Sequence, residues 1–111
     1  MSADVWIVDP PCDKCGRGGD GAELNITYNL SAMLREAGFV GWRNLIELSA
    51  NDAGRHIIGI LNGMAESPAK WRAMNPPNGW GDYDRCLQGR MRKWAEACVA
   101  APADATICGS L

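Results

Sequence analysis

The run AELNITYNLSAMLREAG, Ala22–Gly38, changes its period partway along. Leu24, Ile26 and Tyr28 alternate with Glu23, Asn25, Thr27 and Asn29, which is the period of a strand with one buried face. From Ser31 the alternation stops: Ser31 is a helix-cap residue, Gly38 a stop signal, and Arg35 stands toward the end, so two helical turns are expected.

Working outward, DVWIVD (Asp4–Asp9) has the composition of a short strand, ended by Pro10 and Pro11, and should pair with the first as a hairpin with a long connection. FVGWRNLIELS, residues 39–49, reads as a connector with its apolar side chains turned inward. Asn51 or Asp52 can cap a core-facing helix running to Glu66, with Ala53, Ile57, Ile60, Leu61 and Met64 mostly three and four apart. Ser67 and Pro68 start a short turn in SPAKWRAM. Tyr83–Ala100 carries the clearest stripe, Tyr83, Leu87, Met91, Trp94 and Cys98, and ATICGS (Ala105–Ser110) offers a last strand beside the N-terminal pair. The expected fold is one α+β domain over residues 1–111, a small antiparallel sheet packed against two main helices with short helical turns.

Composition narrows the function classes. A net charge of −2 leaves no broad basic field for a nucleic-acid backbone, and no apolar run approaches the roughly 20 residues of a membrane helix. The first residues show no basic leader followed by an apolar core, so a cytoplasmic protein is expected. Five cysteines, an odd number, argue against a complete disulfide framework in that setting. There is no Gly-x-Ser-x-Gly, Walker loop, dinucleotide fingerprint or His-Glu-x-x-His, so catalysis has no sequence support.

Three stretches are candidate sites. CDKCG places Cys12 and Cys15 in C-x-x-C spacing on a Gly-closed turn, geometry that lets two thiolates meet one zinc ion. A closed site needs two more ligands, for which Cys108 and the single imidazole, His56, are the candidates; plain loop thiols are the alternative, and a redox pair is disfavoured because a Gly-rich run, not a helix, follows. NPPNGWGDYD, Asn75–Asp84, combines a restrained Pro76-Pro77, a turn signal at Asn78-Gly79, the aromatic Trp80 and a helix-cap candidate at Asp82. It either staples a loop to the core through Trp80 and Tyr83 or presents Asn75, Asn78 and Trp80 to a partner. Asn25, Thr27 and Asn29 share one face of the expected strand, and would form a polar pocket with that loop if the two meet.

The order of these motifs, CDKCG, then NITYNLSAMLREAG, then NPPNGWGDYD and a terminal helix, resembles a group of small proteins encoded by bacteriophages and prophages. The resemblance spans most of the chain and is carried chiefly by Asn25-x-Thr27-x-Asn29 with Met33 and by Asn75-Pro76 with Asn78-Gly79-Trp80-Gly81. It implies a phage origin and no particular activity. The expected role is a non-enzymatic binding protein acting in the host cytoplasm on a host protein or small ligand. Its site residues would be Asn25, Thr27, Asn29, Asn75, Asn78, Trp80, Asp82 and Tyr83. A small metal-dependent enzyme and a virion component are the alternatives.

Overall fold

The computed structural model describes residues 2–8, 20–46, 48–77, 79 and 81–110. Cys12, Cys15, Asn78 and Trp80 lie outside the described residues. Three strands, β1 (Ser2–Val8), β2 (Asp20–Thr27) and β3 (Thr106–Ser110), form an antiparallel sheet in the order β2-β1-β3. The terminal strand therefore joins the N-terminal pair, as its composition suggested. Ala3, Val5 and Ile7 of β1, Leu24 and Ile26 of β2 and Ile107 of β3 are buried on one face. Their neighbours Asp4, Trp6, Val8, Glu23, Asn25, Thr106 and Cys108 alternate onto the other. Between the Trp6–Glu23 and Val8–Asp20 pairs β2 has two residues against one in β1, a bulge that bends the outer strand.

The strand in the Ala22–Gly38 run is shorter than its alternation suggested. The strand ends at Thr27, still paired with Ser2, because the Thr27 hydroxyl accepts the Asn29 backbone N–H at 3.3 Å, starting a 3₁₀ turn (Tyr28–Leu30) that runs into α1 (Ser31–Glu36). Gly38 stops α1 as expected: with φ +94° it lets the Phe39 N–H reach Leu34 O at 3.0 Å and its own N–H reach Arg35 O at 3.1 Å, satisfying two terminal carbonyls. The connector holds one further turn, α2 (Trp42–Leu45), which buries Trp42 and Leu45.

Two helical rods cover the buried face of the sheet. α3 (Ala50–Ala65) buries Ala50, Ala53, Ile57, Leu61 and Met64. Its cap is Ser49, whose hydroxyl accepts from the Asp52 N–H at 3.2 Å, not Asn51 or Asp52 as the sequence suggested. Asn51 is drawn elsewhere, its amide donating to Cys98 O, Val99 O and Ala101 O at 3.0–3.1 Å. Those carbonyls lie at the far end of the second rod, where i→i+4 donors run out; Cys98 O also takes the Ala101 N–H at 3.3 Å. After the short α4 (Pro68–Ala73), that rod runs as a π-helix (Tyr83–Met91) and then as α5 (Arg92–Ala100). All five stripe residues, Tyr83, Leu87, Met91, Trp94 and Cys98, are buried. The rods cross closely at Gly54: a Cβ there would stand 2.6 Å from Ala95 O and 2.8 Å from Cys98 Cβ. The fold is α+β, with helices on one side of a three-stranded sheet.

Candidate functional site

The loop between α4 and the π-helix is fixed from both ends. Asn75 Oδ1 accepts the Tyr83 N–H at 2.9 Å, and the Gly79 N–H reaches Pro76 O at 3.3 Å. Asp82 caps the π-helix, accepting from the Arg85 N–H at 2.6 Å and from Arg85 Nε at 2.7 Å. Those two bonds, the backbone one foremost, hold its carboxyl below the usual carboxylate range. Arg72 of α4 grips Asp84 with two donors at 3.0 Å, so the segments flanking the loop are also tied to each other.

Gly81, at φ +102°, brings the loop onto the end of β2: a Cβ there would lie 2.7 Å from Thr27 Cγ2 and 3.3 Å from Leu30. The 75–82 loop and the NITYN segment therefore meet at Thr27. Asn25 lies two residues up the strand, its amide bonded to Asp4 on the outward face. Asn29 is past the strand end, in the 3₁₀ turn, and so does not share a strand face with Asn25. Tyr83 is 2% exposed and its hydroxyl accepts from Gln88 Nε2 at 2.8 Å, so it serves the core from within this site.

Along the outer edge of β2 runs a feature that sequence reasoning missed. A cavity of about 370 Å³ opens between β2 and the junction of the π-helix with α5. Leu24, Trp94 and Ala97 line its apolar part, and Asn25, Arg90 and Lys93 its polar part. Trp94 Nε1 donates to Ala22 O at 2.9 Å and Arg90 Nη2 to Asn25 O at 3.3 Å. Arg90 was hidden by the assumption of an α-helix. It follows Tyr83 by one heptad, which in α geometry returns to within about 20° of the same line and would turn a cation toward the core. The wider π-helix moves it to the sheet edge, and a cation on an apolar stripe was the available signal.

The candidate metal ligands are divided by the sheet. Cys108 opposes Trp6 in register and is exposed on the outward face. His56 lies on α3, against the other face, where its ring stacks on Phe39 with centroids 5.8 Å apart and its Nε2 accepts the Val40 N–H at 3.3 Å. Burial lowers the pKa of that imidazole from its ordinary 6.5. Among the described residues, no three His, Cys, Asp or Glu side chains gather as a metal site. Cys98 is fully buried and its thiol is pushed up to about 12, so it behaves as a core apolar group.

No helix among the described residues is long and apolar enough to cross a membrane. The fold and site together define a small two-layer α+β protein with a braced loop and an edge groove. Comparison with protein-family models, with curated proteins and with solved structures finds no match.

Proposed function

We propose that the chain is a small, non-enzymatic binding protein of phage origin that engages a host protein through the 75–82 loop and the adjoining end of the NITYN segment. The observation that supports this reading is the seating of Gly81 on Thr27 and Leu30, which makes one surface of two stretches far apart in sequence. The bonds at Asn75 and Asp82 brace the loop's ends in the free protein, so little conformational freedom is lost there on contact. The resemblance to phage proteins supplies the setting, a bacterial cytoplasm, and the same loop carries Asn78 and Trp80 as its contact candidates. A zinc ion at Cys12 and Cys15 would cross-link the β1–β2 connection.

The test is affinity capture from a host lysate with quantification by mass spectrometry, comparing the native chain with Trp80→Ala and with Arg55→Ala on α3. A single host protein held near stoichiometrically by the native chain and by Arg55→Ala, and lost from Trp80→Ala at unchanged melting temperature, is the expected result. Equal capture by all three, or capture by none, would overturn the reading.

A further inference from the structure

We propose that the groove along the outer edge of β2 is a binding site for a small organic carboxylate with an apolar body, a site separate from the partner surface above. β2 ends the sheet, so among the described residues its outer edge has no strand beside it. Such an edge ordinarily invites strand addition. Here two of its carbonyls are already taken by side chains: Trp94 holds Ala22 O and Arg90 holds Asn25 O. An added strand would have to displace both donors. The groove is therefore suited to a molecule that lies between strand and helix without pairing with the edge.

Shape and charge specify that molecule. A volume of about 370 Å³ falls within the range of small-molecule sites. At about 30 Å³ per water-sized unit it accommodates about a dozen non-hydrogen atoms. The apolar lining of Leu24, Trp94 and Ala97 calls for an apolar, preferably flat, body. Arg90 and Lys93 stand at the mouth on the helix side, and neither forms an ion pair among the described residues, where only Arg55, Lys70, Arg72 and Arg85 do. Glu23, across the groove on β2, is the one carboxylate lining it among the described residues, which there set two cations against one anion in a chain of net charge −2. Arg90 uses one guanidinium nitrogen on Asn25 O and has further donors to offer a carboxylate. Glu23 disfavours a dianion, which selects a single negative charge.

The experiment uses indole-3-propionate and its neutral amide as probes on the full chain, followed by calorimetry and by ¹H–¹⁵N chemical shifts. The acid is expected to bind with shifts at the Trp94 indole N–H and the Leu24 and Asn25 amides, and the amide about tenfold or more weaker, the loss of one charge-assisted contact. Lys93→Gln, an exposed change that leaves the Trp94–Ala22 bond in place, should weaken the acid by a similar factor and leave the amide unaffected. Ala97→Phe, filling the groove, should abolish binding of both. Equal affinity for acid and amide, shifts elsewhere on the molecule, or no binding at millimolar probe would overturn the proposal. So would tighter binding of an extended hexapeptide that shifts the β2 edge amides, since that would make the edge a strand-addition site. None of these readouts depends on Trp80, so failure of the host-partner reading leaves this one standing.

Discussion

At the scale of single residues, α3 carries three glycines with opposite meanings. Gly54 lies where the two helical rods touch, and a methyl group would meet the Ala95 carbonyl, a backbone atom that cannot swing aside. Gly59 and Gly63 face open space, with nothing within 4 Å of a Cβ. Gly54→Ala should therefore destabilise the protein by about 1–3 kcal/mol through overpacking. Gly59→Ala should stabilise it by about 0.5–1 kcal/mol, through helix propensity alone. Urea denaturation of the two variants checks both signs; a Gly54→Ala protein as stable as the native one would mean the rods do not cross so closely. His56 sets a second expectation. Its pKa is lowered from 6.5 in the folded protein, and its Nε2 must be unprotonated to accept the Val40 N–H. The unfolded chain then binds a proton that the folded chain refuses, so this contribution is complete above the unfolded pKa and is lost as pH falls from about 6.5 through the lowered folded value. Asp82 and Asp84, held below 3.8 by Arg85 and Arg72, add their own losses only at more acidic pH. Between about pH 7.5 and about pH 5 the native protein should lose more stability than His56→Gln, whose side-chain oxygen can keep the Val40 contact without titrating. Equal slopes would remove His56 as the cause.

At the scale of elements, the π-helix is the main departure from sequence expectation. Tyr83, Leu87 and Met91 are spaced by four, a step that either an α- or a π-helix can bury, so the stripe was legible and the helix type was not. What separates the two is a contact five residues apart: the Gln88 amide donates to Tyr83 Oη and to Leu61 O, each at 2.8 Å, while its oxygen accepts from Arg92 at 2.7 and 3.0 Å. The first of these joins the side chains of residues i and i+5, which π geometry brings closer to one line than α geometry does, and the second fastens the rod to α3. Gln88→Leu should cost about 1–3 kcal/mol by leaving the Tyr83 hydroxyl without its donor, and Tyr83→Phe about 1 kcal/mol. Because both remove the same bond, the double variant should fall well short of their sum in denaturation experiments; strict additivity would show the bond to be idle. The other misses have the same origin. Tyr28 continues the alternation of β2, yet the Thr27 hydroxyl ends the strand, and Asn51 could cap its own helix but instead serves carbonyls 47 or more positions away. Local pattern located the strands, the rods and the Gly38 stop. It could not choose between two local uses of a polar side chain, nor place Asn25 opposite Arg90, 65 positions on.

At the scale of the whole molecule, the helices cover one face of the sheet, and this one-sidedness divides the candidate metal ligands. Ile107 points into the core beneath the helices, so the next residue, Cys108, points away from them, beside Trp6. His56 belongs to the helical layer, with one ring nitrogen already engaged. A single ion bound by Cys108 cannot also reach His56 without crossing the strand layer. Of the two, Cys108 is exposed whereas the His56 Nε2 is already engaged, so Cys108 is the more available further ligand for a zinc ion held by Cys12 and Cys15. Elemental analysis of protein purified without added metal should then show three linked results: about one zinc per chain in the native protein, none in Cys12→Ser, and an unchanged content in His56→Gln. Cys108→Ser should lower the affinity, because its thiol is the exposed one of the two remaining candidates. Loss of zinc from His56→Gln would refute the division by face, and a native chain free of metal would leave Cys12 and Cys15 as loop thiols, with Cys108 the described cysteine most open to alkylation.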